Sequence, residues 1–197
     1  MSNFALRPVA SQLVFPEETD DDDLKPRSRT RERPWLRRYS KFLCLATFCL
    51  LYAGALVTSN QAGLAVPDWP NSFGYNMFTF PPSMWQGNIF YEHVHRLIAS
   101  AVGLLTLVLC IWLLRVESRT WVKALGVLAL GSVIVQGLLG GATVLLQLPT
   151  IVSASHGVLA QTFFVITIVL AYTQSAEYRR GFGLKYRLQS RPLLFPA

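Results

Sequence analysis

Four ionisable side chains, Glu92, His93, His95 and Arg96, cluster where one apolar segment begins, and His156 stands near the start of another. Together these positions hold all three histidines of the chain. Ionisable groups inside a bilayer are costly to keep there, so their presence points to function. Glu92 and His95 are three residues apart and share one helical face, whereas His93, rotated about 100° per residue, cannot share it fully. Two imidazoles at matching depth on two helices of one bundle suit axial ligation of a haem iron, with the flat macrocycle slotted between the helices. Ser153, Ala154, Ser155, Gly157 and Ala160 around His156, and Ala99 one turn after His95, are small enough to leave room for it.

Other chemistries compete for the same residues. A histidine at a helix end also serves as an interfacial side chain bonded to water or headgroups. Zinc held by His95, His156 and Glu92 is a second metal reading, but an apolar, wide site without a thiolate suits a large planar cofactor better. Glu92 has two readings: a carboxyl that exchanges a proton beside a haem during an oxidation, or the partner of Arg96 four residues on. Arg96 in turn either pairs with a haem propionate or snorkels toward the headgroups. The candidates are thus Glu92 as the catalytic carboxylate, His95 and His156 as metal ligands, and Arg96 as a further cofactor contact. In the third segment, Gly137 and Gly141 form a small-xxx-small pair that usually marks close helix contact. Gln136 either bonds across helices or approaches the bound ligand.

The elements that must position these groups are apolar blocks at about 42–59, 90–114, 122–147 and 151–173. Each has roughly the 17 to 25 residues that cross ~30 Å of hydrocarbon as a helix. Helices are the open-chain solution, because unpaired backbone groups in lipid cost several kcal/mol each. The expected fold is an all-α integral membrane bundle of four transmembrane helices over residues 42–174. It is preceded by a polar tail at 1–41, rich in proline and charge and unable to fold alone. A basic tail follows at 175–197. With 52% hydrophobic but only 15% charged residues, the chain is not a soluble enzyme or a disordered protein.

The charge of +7 reports topology. Nine of the eighteen basic residues precede the first span, Arg115, Arg119 and Lys123 surround the turn between the second and third, and five follow the fourth. Arg96 alone falls on the other side, so the positive-inside rule places both termini in the cytoplasm. Charges spread over tails do not build a nucleic-acid surface. The outer loop, 60–89, has no Lys or Arg and is rich in Pro, Gly and aromatics; it reads either as an interfacial aromatic belt or as a lid over something bound between the helices. Cys44, Cys49 and Cys110 all lie in apolar blocks and indicate neither a disulfide framework nor a zinc site.

Four stretches, Gly63-Leu-Ala-Val-Pro-Asp-Trp-Pro70, Tyr91-Glu-His-Val-His-Arg96, Val135-Gln-Gly-Leu-Leu-Gly-Gly-Ala-Thr-Val144 and Ser153-Ala-Ser-His-Gly157, together resemble the heme A synthase family, in the family's order, over residues 42 to 173. The resemblance implies a membrane oxidoreductase that converts the C8 methyl of haem O to the formyl of haem A for terminal oxidases. It maps the motif carboxylate onto Glu92 and the haem ligands onto His95 and His156, and leaves His93 unassigned. A non-catalytic bis-histidine cytochrome b-like module, or a half that serves only structurally, are the rival readings. The family usually has eight spans in two similar halves, the first for haem O and the second for a haem b cofactor, and this chain resembles the first alone. The other half is then expected from a second copy, a separate subunit or a longer gene product. A haem O synthase and an electron acceptor are the further partners implied, and the bacterial cytoplasmic membrane is the expected location, ahead of the mitochondrial inner membrane. Many members carry a Cys pair in the first outer loop; its absence here gives a thiol step no support.

Overall fold

A computed structural model describes residues 33–178, and all four long elements in it are helices: α1 (Pro34–Ser59), α2 (Asn88–Val116), α3 (Thr120–Leu145) and α4 (Thr150–Thr173). All four are long and apolar enough to cross a membrane. The reading of the N-terminal tail falls, for residues 1–32, outside the described residues, as does most of the C-terminal tail. Against the expected start at 42, α1 begins at Pro34, which takes the first helical turn where a missing N–H costs nothing. The amphipathic run that follows, with Leu36 and Ser40 buried and Trp35, Arg38 and Lys41 exposed, is helical although its composition is polar.

The helices run up and down around a ring. Tyr39, near the start of α1, donates to the Leu105 carbonyl of α2 at 2.9 Å and meets the Trp112 ring edge-on, so the start of α1 lies beside the later turns of α2. Leu113 of α2 packs on Gly126 of α3, and Phe48 of α1 lies 6.1 Å from Phe164 of α4, closing the ring.

The dry core is confined to one half of the bundle. Leu36 and Leu43 of α1, Leu109 of α2, Ala129 of α3 and Phe163 and Leu170 of α4 are buried together near the end that carries the α2–α3 turn. There Glu117 accepts from Arg119 and Gln174, and Arg119 donates to the Thr173 carbonyl at 3.1 Å, tying the turn to the end of α4. In the opposite half, the facing positions Gly54, His95, Ala99, Gly140, His156 and Ala160 are only partly buried.

α1 and α3 end in the same way at that open half. Asn60 N–H bonds to Leu56 O and Ala62 N–H to Val57 O; Leu146 N–H bonds to Ala142 O and Leu148 N–H to Thr143 O. In each case a glutamine, Gln61 at φ 53° or Gln147 at φ 59°, takes the left-handed conformation that stops the helix.

The segment between α1 and α2 is folded down onto the bundle. It contains two single 3-10 turns, Met77–Thr79 and Pro82–Met84, and an isolated bridge between Ser72 and Tyr75. Its own residues Ala62, Val66, Ser72 and Phe80 are buried.

Candidate functional site

The cluster that opens α2 divides between two tasks. Glu92, His93 and Arg96 turn to the loop between α1 and α2, while His95 turns into the bundle. Glu92 is buried, and both of its oxygens are engaged: Oε2 accepts the Val66 N–H at 2.8 Å and Oε1 accepts from Arg96. Arg96 Nη1 donates to the carbonyls of Asp68 at 2.7 Å and Asn71 at 3.1 Å, and Nη2 donates to the Val66 carbonyl at 2.9 Å as well as to Glu92. The helical spacing of four explains the Glu92–Arg96 pair. The three loop carbonyls are the unexpected part, and the guanidinium suits them because its donors form a rigid planar fork.

His93 is fully buried by the same loop. Ser72 Oγ and His93 Nδ1 lie 3.2 Å apart, and the Phe80 and Trp85 rings flank the imidazole with centroids at 4.9 and 4.7 Å. The histidine left unassigned by the sequence is therefore a seat for the loop. Asp68 closes the tight turn above it, accepting from the Phe73 and Gly74 amides at 2.7 and 2.8 Å. Burial pushes the Asp68 carboxyl up, but those two amides and the charge of Arg96 outweigh it and hold it below the ordinary value. Beside this turn the Trp69 ring lies on Gly141 of α3, where an added Cβ would meet the ring at 2.6 to 2.9 Å.

That contact corrects the expectation for the glycines of α3. Gly141 makes room for a loop tryptophan and not for a neighbouring helix, and Gly137 has nothing within 4 Å. The close approach occurs at Gly140, whose Cβ position lies 3.3 Å from Cε1 of His156. Gln136, one turn earlier, donates from Nε2 to the His156 main-chain oxygen at 2.8 Å, which resolves its two readings in favour of a bond across helices.

His95 sits on α1 in the same manner. The Cβ position of Gly54 lies 3.2 Å from its Cε1. Nδ1 of His95 and Nδ1 of His156 have no hydrogen-bond partner and are sealed from solvent, as are Gln136 Oε1 and Ser153 Oγ. Among the described residues no group of three or more His, Cys, Asp or Glu side chains is arranged to hold a metal ion, so His95, His156 and Glu92 do not converge as a three-ligand site. A haem iron asks for two nitrogens from opposite sides. The sealed, unsatisfied Nδ1 atoms, the glycine cradles and the open half of the bundle fit that group.

Sequence reasoning missed Gly54, Ser72, Trp69 and the seat of His93. A glycine inside an apolar span was the one signal available for Gly54.

The fold and site define a four-helix protein of membrane-spanning dimensions, with two histidines facing inward from alternate helices under a strapped loop. Comparison with known proteins makes this specific. The family model of the cytochrome oxidase assembly proteins (COX15-CtaA) matches residues 37–193, and the chain belongs to this family, that of the heme A synthases. It is 31% identical over 159 residues to the heme A synthase of Shewanella oneidensis, covering 74% of this chain and 46% of that protein. It is 34% identical over 133 residues to that of Symbiobacterium thermophilum, covering 64% and 42%, and 32% identical over 145 residues to that of Shouchella clausii, covering 71% and 47%. The chain thus matches less than half the length of these relatives. No solved structure matches it.

Proposed function

We propose that the chain acts in haem A biosynthesis as the substrate-side half of a heme A synthase, oxidising the C8 methyl of haem O to a formyl group. The observation that carries this reading is the pair His95 and His156, seated in matching fashion on α1 and α3 in the one half of the bundle that is not dry-packed. In this reading the two imidazoles hold the iron of haem O as substrate, and the small residues beside them admit the macrocycle. Glu92 takes protons as the methyl is oxidised, since a carboxylate in a low-dielectric site can gain one when its partners move. Its partners are the Val66 amide and Arg96, so the carboxylate is joined to the loop. Arg96 brings positive charge to the same end, where a propionate meets it while it holds the loop.

Turning the methyl into a formyl group takes one oxygen atom from water and releases four protons and four electrons, and the electrons leave to an acceptor outside the chain. A second copy or a separate second-half subunit supplies the haem b cofactor, and a haem O synthase supplies the substrate. The four apolar helices and the bacterial relatives fit an integral protein of the bacterial cytoplasmic membrane, and the charge asymmetry supports termini on the cytoplasmic side.

The test is expression of the chain with a source of haem O, followed by extraction of the haem and a search for the formyl product. Bound haem O that stays unchanged favours the bis-histidine carrier reading. Absence of bound haem, in a chain that is folded, removes both.

A further inference from the structure

α1–α2 and α3–α4 are built as two copies of one hairpin, and the correspondence runs to single residues. Gly54 precedes the left-handed Gln61 by seven positions, as Gly140 precedes Gln147. Both helices end in the same pair of backbone bonds, Ala62 N–H to Val57 O at 2.8 Å and Leu148 N–H to Thr143 O at 2.7 Å. On the partner helices, His95 is followed one turn later by Ala99 and His156 by Ala160. The loop joining the first pair is much longer than the turn joining the second, which hides the repeat in a linear reading.

Each imidazole therefore presents the same edge to the helix before it, with Cε1 toward the glycine at 3.2 and 3.3 Å and Nδ1 sealed. A side chain larger than hydrogen at either glycine would push the ring away from its seat on the helix.

We infer that Gly54 and Gly140 are the positioning elements of the haem ligands: with no side chain of their own, they let the His95 and His156 rings seat Cε1-first against α1 and α3, which fixes the orientation in which each imidazole meets the iron. The inference rests on the haem reading above. It makes the two ligands equivalent by internal pseudo-symmetry, one from each hairpin.

The experiment uses the full chain in detergent, titrated with iron protoporphyrin IX and followed by absorbance and by the low-spin electron paramagnetic resonance signal. Gly54→Ala and Gly140→Ala are expected to lower haem affinity about tenfold or more and to shift the resonance g-values. Gly103→Ala and Gly131→Ala, at sites with nothing within 4 Å, are expected to leave both unchanged. Haem bound with unaltered affinity and g-values in the first two variants overturns the inference and leaves the haem reading standing. A folded wild-type chain that binds no haem overturns both. Should an alanine variant fail to fold, pulsed resonance on the unaltered holoprotein decides. Two fixed imidazole planes are expected, and a spread of ring orientations overturns it.

Discussion

Arg96 of α2 donates to the carbonyl oxygen of Asp68 at 2.7 Å, joining a residue near the start of a long apolar helix to the loop between α1 and α2. The same guanidinium reaches Val66, Asn71 and Glu92, so the loop and the carboxylate share one fastening. Lysine has no planar fork and cannot serve these partners together. Arg96→Lys is expected to speed hydrogen exchange at the Val66 amide and its neighbours at least tenfold, equivalent to about 1.4 kcal/mol. Mass spectrometry of peptides spanning residues 62–75 measures it, and unchanged exchange refutes the fastening.

Glu92 has both a loop-holding and a chemical role in our reading, and two substitutions separate them. Glu92→Gln keeps an acceptor for the Val66 N–H but cannot gain a proton as a carboxylate does. It is expected to retain bound haem and a closed loop while losing formyl haem production. Glu92→Ala is expected to lose the product and loosen the loop as well. Formyl haem made at the wild-type rate by Glu92→Gln would show that Glu92 is a structural anchor only.

Trp69 on Gly141 makes a steric prediction. Because an added Cβ would lie 2.6 to 2.9 Å from the indole ring, Gly141→Ala should force Trp69 out and destabilise the folded chain by about 1–3 kcal/mol. Gly137→Ala, with nothing within 4 Å, should be neutral or stabilise by up to ~1 kcal/mol through helix propensity. Thermal unfolding in one detergent compares the two, and equal melting temperatures would contradict the packing of the loop described above.

The opposite end of the bundle carries an acid dependence. Burial raises the Glu117 carboxyl, but hydrogen bonds from Arg119 and Gln174 and the charge of Arg119 outweigh it and hold the group at about 2. A value below the unfolded one, 4.5, means that Glu117 stabilises the fold fully above about 4.5 and loses that contribution as the pH falls toward 2. Glu117→Gln is expected to cost about 1.5–3 kcal/mol at neutral pH and to flatten the loss of stability on acidification. Denaturation profiles between neutral pH and pH 2 test it; parallel curves for both proteins would exclude Glu117 as the source.

Much of this protein is legible without coordinates because the responsible forces are local or one-dimensional. Apolar blocks declare spanning helices, since hydrocarbon forces backbone groups to pair within the segment. Helical spacing placed Glu92 four residues before Arg96, and the alternating course of the spans put His95 and His156 at like depth. The start of α1 at Pro34 was not legible, because charged residues there lie along a helix that extends beyond its apolar block.

What only the tertiary structure decided is which surfaces those helices and the loop turn to one another. Arg96 binds main-chain carbonyls 25 to 30 residues away, and a carbonyl belongs to every residue type, so no side chain marks the acceptor. His93, Ser72, Trp69 and Gly141 find each other only once the loop has folded down. The docking of His95 on Gly54 and of His156 on Gly140 depends on helix rotation, which composition does not carry. The sequence by itself determined four spanning helices, their ionisable residues and the family motifs. Packing decided that three of the four residues opening α2 fasten a loop and that the two remaining histidines are held alike.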